Sequence, residues 1–268
     1  MGIFKELYAY RTMIASLVRK DLKGRYKGSV LGFLWTFINP LLQLAIYTFV
    51  FQIILHNQTK YYYIHLFVAL VPWIFFSSSL TTGSKAILGQ YNLVKKIYFP
   101  REVLPISYAT SSLVNMLLSF IVIFVVLIFS AIFTDFTINV ATWLLLPIII
   151  LIEYLLVVGV TLITSSLTVY LRDLEHIMGV LSMAWMYLSP VVYPISMIDH
   201  YKDLHPILYQ IYMLNPVTPL VLSYRDILYY GQVPNGIYFV RALIESVIIC
   251  VLGFVIFGKL KKKFAEEL

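Results

Sequence analysis

The chain has 268 residues, of which 60% are hydrophobic and 12% charged, with a mean hydropathy of +0.86. Soluble domains carry about 25% charged residues, so the composition excludes an ordinary soluble domain and fits a chain solvated mostly by lipid. The net charge of +7 would favour nucleic-acid binding in a soluble protein. Here the basic residues cluster at the ends of apolar runs, which is a topology signal, and no nucleic-acid partner is expected.

Residues 3–27 have helical periodicity. Ile3, Leu7, Tyr10, Ile14, Leu17 and Val18 fall on one face, and Lys5, Arg19, Lys20, Lys23 and Lys27 on the other. A basic amphipathic helix of this kind lies in the interface of an anionic leaflet, or packs on the protein itself. No short apolar core ahead of a small-residue cleavage site is visible in the first 30 residues. Gly28, Gly32, Trp35 and the Asn39-Pro40 pair mark the joint where this segment turns into the bilayer.

Apolar runs then predict six spans, at about 34–55, 64–80, 103–133, 140–169, 177–193 and 237–257. The second ends in Ser77-Ser78-Ser79 and Thr81-Thr82-Gly83, small residues that let helices approach closely. Between the second and third lies a polar stretch, 84–102, whose middle (91–98) suits two helical turns before Pro100. Residues 170–176 form a short charged hinge. After the fifth span come two apolar stretches of only about ten residues, 206–214 and 219–230. A helix of that length covers about 15 Å, half the hydrocarbon core, so both read as interfacial or re-entrant. In the second, Thr218 suits the N-cap, Pro219 the first helical position and Gly231 the residue past the end.

With the N-terminus inside, 16 of the 20 Lys and Arg fall on the inner side. The outer side keeps Lys60, Lys202, Arg225 and Arg241. That bias predicts cytoplasmic termini and an external 195–236 region. The expected architecture is an all-α integral membrane protein: an interface helix over 1–33, a six-span domain over 34–258 and a basic tail over 259–268.

No phosphate-binding loop, paired-cysteine, zinc-protease or serine-hydrolase motif is present. The five histidines are dispersed, and no metal site is expected. The one cysteine, Cys250, lies in the last apolar run, so no internal disulfide can form. Two carboxylates sit within spans. Glu153 reads either as a functional ionisable group or as a packing hydrogen bonder. Glu245, four residues after Arg241, reads as half of a helix-surface ion pair. A proton-coupled transporter would need several such groups converging. A membrane transferase would need acidic or histidine clusters, and none is visible. The 21 Tyr, 18 Phe and 4 Trp are mostly an interfacial belt, though aromatic faces also suit stacking on sugar rings.

Four stretches carry a family resemblance. RYKGSVLGFLWTFINPLLQL (25–44), LVKKIYFPREVLPIS (93–107), YLRDLEHIMGVLSMAWMYLSPVVYP (170–194) and NPVTPLVLSYRDILYYG (215–231) resemble the permease subunits of ABC-2 type polysaccharide exporters, in order along nearly the whole chain. These include teichoic acid and O-antigen transporters. The resemblance implies a homodimer of permeases in the cytoplasmic membrane, paired with two copies of a separate ABC ATPase that holds ATP and Mg. No cofactor is then expected on this chain. It implies an ATPase-coupling helix at Tyr91, Asn92, Lys95, Lys96, Phe99, Pro100, Arg101 and Glu102, with a second contact at Arg172 and Asp173. It also implies that Lys20, Lys23, Arg25 and Lys27 meet lipid or substrate head groups, and that the substrate is a lipid-linked glycan. An ABC-2 exporter of a drug or small lipid shares the architecture.

Overall fold

The computed structural model describes residues 3–25, 27–199 and 201–267. Residues 1, 2, 26, 200 and 268, and the side chain of Ile3 from the expected apolar face, lie outside that description. Among the described residues all regular structure is helical. In chain order the helices are α1 Ile3–Ala9, α2 Arg11–Arg25, α3 Trp35–Thr48, α4 Tyr62–Leu80, α5 Tyr91–Lys96, α6 Val103–Phe133, α7 Leu146–Tyr170 and α8 Leu174–Tyr187. There follow α9 Ser196–Asp199, α10 Tyr201–Leu204, α11 Pro206–Met213, α12 Val217–Leu228, α13 Gly236–Leu260 and α14 Phe264–Glu267. Among the described residues, five continuous helical segments are long and apolar enough to cross a membrane: Gly32–Ile54, Tyr62–Lys85, Val103–Phe133, Val140–Tyr170 and Gly236–Lys263. The chain is an all-α membrane protein.

The third predicted span and α6 coincide residue for residue. Its 31 residues cover about 46 Å at 1.5 Å per residue, long enough to cross with tilt. The fifth predicted span is shorter than expected. α8 has 14 residues, about 21 Å, because the chain leaves the helix at Leu188, before Pro190 and Pro194. The N-terminal segment is two helices that meet at Tyr10, not one. Leu7, Tyr10, Ile14 and Leu17 do face the protein, as the periodicity predicts.

α4 is the central helix. Its most apolar window is 78% buried, against 6% for the segment containing α3 and 17% for that containing α13. Ser77, Ser78, Ser79 and Thr81 send their hydroxyls back to carbonyls of their own helix, at Ile74, Phe75, Phe76 and Ser77, so they are satisfied without partners elsewhere. α7 and α13 meet at glycines. A Cβ added to Gly159 would stand 2.6 Å from the Ile249 carbonyl oxygen, and one added to Gly253 would stand 2.6 Å from the Gly159 carbonyl oxygen. Only the missing side chains allow that approach.

The joint at residues 28–40 works differently from the sequence reading. Gly28 and Gly32 do adopt positive φ, +83° and +47°, and make the turn. Pro40 lies inside α3. It has no N–H to give the Thr36 carbonyl, and Ser119 of α6 donates to that oxygen at 3.3 Å. α12 also begins earlier than predicted. It starts at Val217, with Thr218 inside the helix, and the Asn215 side chain just ahead of it accepts the Val217 N–H at 3.0 Å.

Candidate functional site

The basic elements converge on one end of the helix bundle. Lys20 of α2 donates to Gln90 Oε1 at 3.3 Å. Asp21 pairs with Arg25 at 2.8 Å and accepts the Ser111 hydroxyl of α6, while Arg25 reaches Ser112 at 3.0 Å. Lys85 pairs with Glu175 at 3.2 Å, which ties the end of α4 to the start of α8. Tyr170 donates to the Leu260 carbonyl at 2.7 Å, bringing the end of α7 to the end of α13. Between α2, residues 82–90 and α6 is a cavity of about 460 Å³, whose lining includes Lys20, Asp21, Arg25, Lys85, Gln90 and Tyr108.

The stretch 91–102 divides into two faces. Tyr91, Asn92, Lys95 and Lys96 are exposed, with the Lys95 ammonium 2.7 Å from the Tyr91 hydroxyl. Ile97 and Tyr98 are exposed at 55% and 98%. Phe99 and Glu102 turn inward and are buried, and Pro100 and Arg101 are half-buried. The resemblance implies an ATPase contact for Glu102, with no hint of a partner within the chain. In the fold it meets the tail: Lys261 lies 2.5 Å from Glu102 Oε1, and Arg101 donates to the Lys261 carbonyl at 2.6 Å. Phe264 is fully buried behind them, against Phe257 and Tyr170 and under the Arg101 guanidinium. A basic tail alone reads as a solvated topology signal, so only the tertiary fold reveals this contact. Arg172 and Asp173 are exposed at the head of α8. Lys20, Lys23 and Lys27 are exposed along α2 and just after it, whereas Arg25 is turned onto the serines of α6.

The opposite end holds a second polar assembly that sequence reasoning missed. Arg225 of α12 is 2% exposed. It donates to the main-chain carbonyls of His65 at 3.2 Å, Tyr193 at 3.3 Å and Val191 at 2.8 Å. Tyr62 donates to the Val192 carbonyl at 2.6 Å. One guanidinium thus fastens α12 to α4 and to the non-helical turn after α8. Two adjacent charges, Arg225 and Asp226, on an otherwise apolar stretch are the signal the sequence carried. Asn139 and Thr142 bind the Gly231 and Ile227 carbonyls, and Arg241 of α13 pairs with Glu245 at 2.7 Å while donating to the Met213 carbonyl of α11.

Glu153 is 2% exposed and accepts the Tyr224 hydroxyl at 2.6 Å. That bond joins α7 to α12. Among the described residues no group of three His, Cys, Asp or Glu stands close enough to hold a metal ion. Among the described residues, exposed lysines (Lys20, Lys23, Lys95 and Lys96) gather at one end and carbonyl-clamped short helices at the other.

Residues 12–229 match the family model described as ABC-2 type transporter. The chain is 34% identical over 268 residues to an O-antigen export system permease protein RfbA of Myxococcus xanthus, covering 99% of each sequence. It is 32% identical over 257 residues to a protein of the same name from Klebsiella pneumoniae, covering 96% of this chain and 95% of that protein. With this match over most of its length, the chain belongs to the ABC-2 type transporter family.

Proposed function

We propose that the chain is the membrane-spanning subunit of an ATP-driven exporter for a lipid-linked cell-surface polysaccharide. The observation that carries this reading is the near full-length similarity to proteins named O-antigen export system permease. It favours an O-antigen type of glycan over teichoic acid. The absence of a phosphate loop in the sequence agrees with hydrolysis on a separate ATPase subunit, where ATP and Mg would sit. Exposed Ile97 and Tyr98 beside Lys95 and Lys96 offer that partner an apolar patch with a cationic rim, the usual composition of a docking surface.

In this reading the basic end faces the cytoplasm and the protein sits in the inner membrane. The chain crosses six times. Support for α8 as a crossing comes from its neighbours: Glu175 lies by Lys85 at one end of α4, and Val192 lies by Tyr62 at the other. α11 and α12 are re-entrant elements on the outer side. Two permeases pair with two ATPases. ATP binding closes the ATPases, and the 91–102 stretch passes that movement to α6, while the glycan enters beside α2. Depleting the protein and identifying the lipid-linked polymer that accumulates tests the function. Co-purification with an ABC ATPase tests the partnership. Accumulation of no glycan would overturn the reading.

A further inference from the structure

At the Arg225 end, a cavity of about 380 Å³ opens between α4, α12 and the start of α13, with His65, Arg225, Asp226, Tyr230, Gln232 and Tyr238 among its lining. Two observations distinguish it from a packing defect. His65 is 1% exposed, yet among the described residues its Nδ1 has no hydrogen-bond partner. Buried polar atoms in folded proteins are nearly always paired, and each exception requires a reason. Arg225 carries a buried positive charge whose hydrogen bonds all go to neutral carbonyls. The carboxylate beside it, Asp226, is engaged with Gln232 Nε2 at 3.0 Å and the Asn235 N–H at 3.2 Å.

We propose that this cavity is a carbohydrate-binding site that holds one sugar unit of the exported glycan by its hydroxyl groups. This rests on the polysaccharide-export reading above. A sugar ring carries hydroxyls that both donate and accept, arranged around apolar C–H faces. The cavity supplies matching parts: a guanidinium, a carboxylate, an amide and an imidazole, with the Tyr230 and Tyr238 rings and the Ile195 and Val233 side chains. A free anion would be opposed by Asp226. A lipid tail would leave His65, Arg225 and Gln232 facing hydrocarbon. The volume falls within the roughly 300–1,000 Å³ range of small-molecule sites, enough for a ring but not a polymer. Tyr230 and Val233, exposed at 56% and 72%, stand at the mouth. A site of this size on the outer side retains a sugar unit after it has crossed.

The test uses the permease with its ATPase in nanodiscs. A Val233→Cys substitution in a Cys250→Ser background places one reactive thiol at the mouth, read by its rate of labelling with a bulky maleimide. Mannose, galactose and rhamnose are the probes, with inorganic phosphate as the comparison. At least one sugar is expected to slow labelling, with phosphate inert. Tyr230→Ala with Gln232→Ala, both at the exposed rim, is expected to raise the protecting sugar concentration about tenfold. Protection by phosphate instead, protection by nothing, or equal protection in the rim variant would each overturn the site. Intact export with an unprotected thiol sinks this inference alone, whereas depletion without glycan accumulation sinks the export reading.

Discussion

Glu102 and Lys261 meet at 2.5 Å although 159 positions separate them, and they join the stretch leading into α6 to the end of α13. The carboxylate is buried, and Lys261 is about one-third exposed, so the pair is neither a surface ornament nor a fully dry ion pair. Lys261→Met leaves a buried carboxylate without its partner. Removing one member of a buried pair costs about 3–5 kcal/mol, and the partial exposure here reduces that to roughly half. Glu102→Gln keeps shape and a hydrogen-bond acceptor and costs less. The double variant is expected to be more stable than Lys261→Met alone. Thermal unfolding of the four proteins in nanodiscs measures this; additive losses would argue against the pairing.

Charge reversal separates the two faces of the same stretch. Lys95 and Lys96 are exposed, whereas Arg101 is bonded to the tail. Lys95→Glu with Lys96→Glu is therefore expected to lower permease-stimulated ATP hydrolysis and export while leaving stability, read by thermal unfolding, within about 0.5 kcal/mol of the unsubstituted protein. Arg101→Glu is expected to lower both. Full coupled hydrolysis in the Lys95/Lys96 variant would remove the docking assignment.

Much of the architecture was legible because lipid imposes a strong code. The apolar length of α6, the glycines of the turn and the basic clustering follow from composition and local chemistry alone. The failures are equally specific. Thr218 looked like a cap because it precedes Pro219, but Asn215 reached the helix start first. Pro40 looked like a bend because its carbonyl cost is local, whereas the compensation at Thr36 comes from Ser119, 83 positions after Thr36. Nor can a linear reading see Lys261 against Glu102, a contact that stands beside the ATPase role the resemblance implies for that residue. The sites that sequence missed are those made by one polar residue meeting main-chain carbonyls, as at Arg225, which leave no pattern.

The glycine contact between α7 and α13 gives a clear steric prediction. Gly159→Ala and Gly253→Ala each drive a methyl into backbone, with no flexible side chain to yield. Overpacking of that kind costs about 1–3 kcal/mol. Gly258→Ala, in the same helix but with nothing within 4 Å, is expected to be neutral or mildly stabilising. Unfolding temperatures of the three variants check the contrast, and equal effects would mean the helices are not this close.

Ser119 and Pro40 form a testable couple. Ser119→Ala removes the donor to the Thr36 carbonyl, a loss of about 0.6 kcal/mol by the average for hydrogen bonds between membrane helices. Pro40→Ala restores the intrahelical N–H and makes Ser119 dispensable. The double variant is expected to lose less than Ser119→Ala does in the Pro40 background, the non-additivity that marks direct interaction.

Glu153 distinguishes ATP-driven export from proton coupling. Its oxygen accepts the Tyr224 hydroxyl at 2.6 Å, and both side chains are buried between α7 and α12. A packing role needs an acceptor at that position, not a titrating group. Glu153→Gln retains an amide oxygen for Tyr224 and is expected to preserve export. Tyr224→Phe strands a buried carboxyl oxygen and is expected to cost about 1–3 kcal/mol in stability. Loss of export in Glu153→Gln at wild-type stability and membrane abundance would instead assign the carboxyl a transport role, since a proton-carrying group cannot be replaced by an amide.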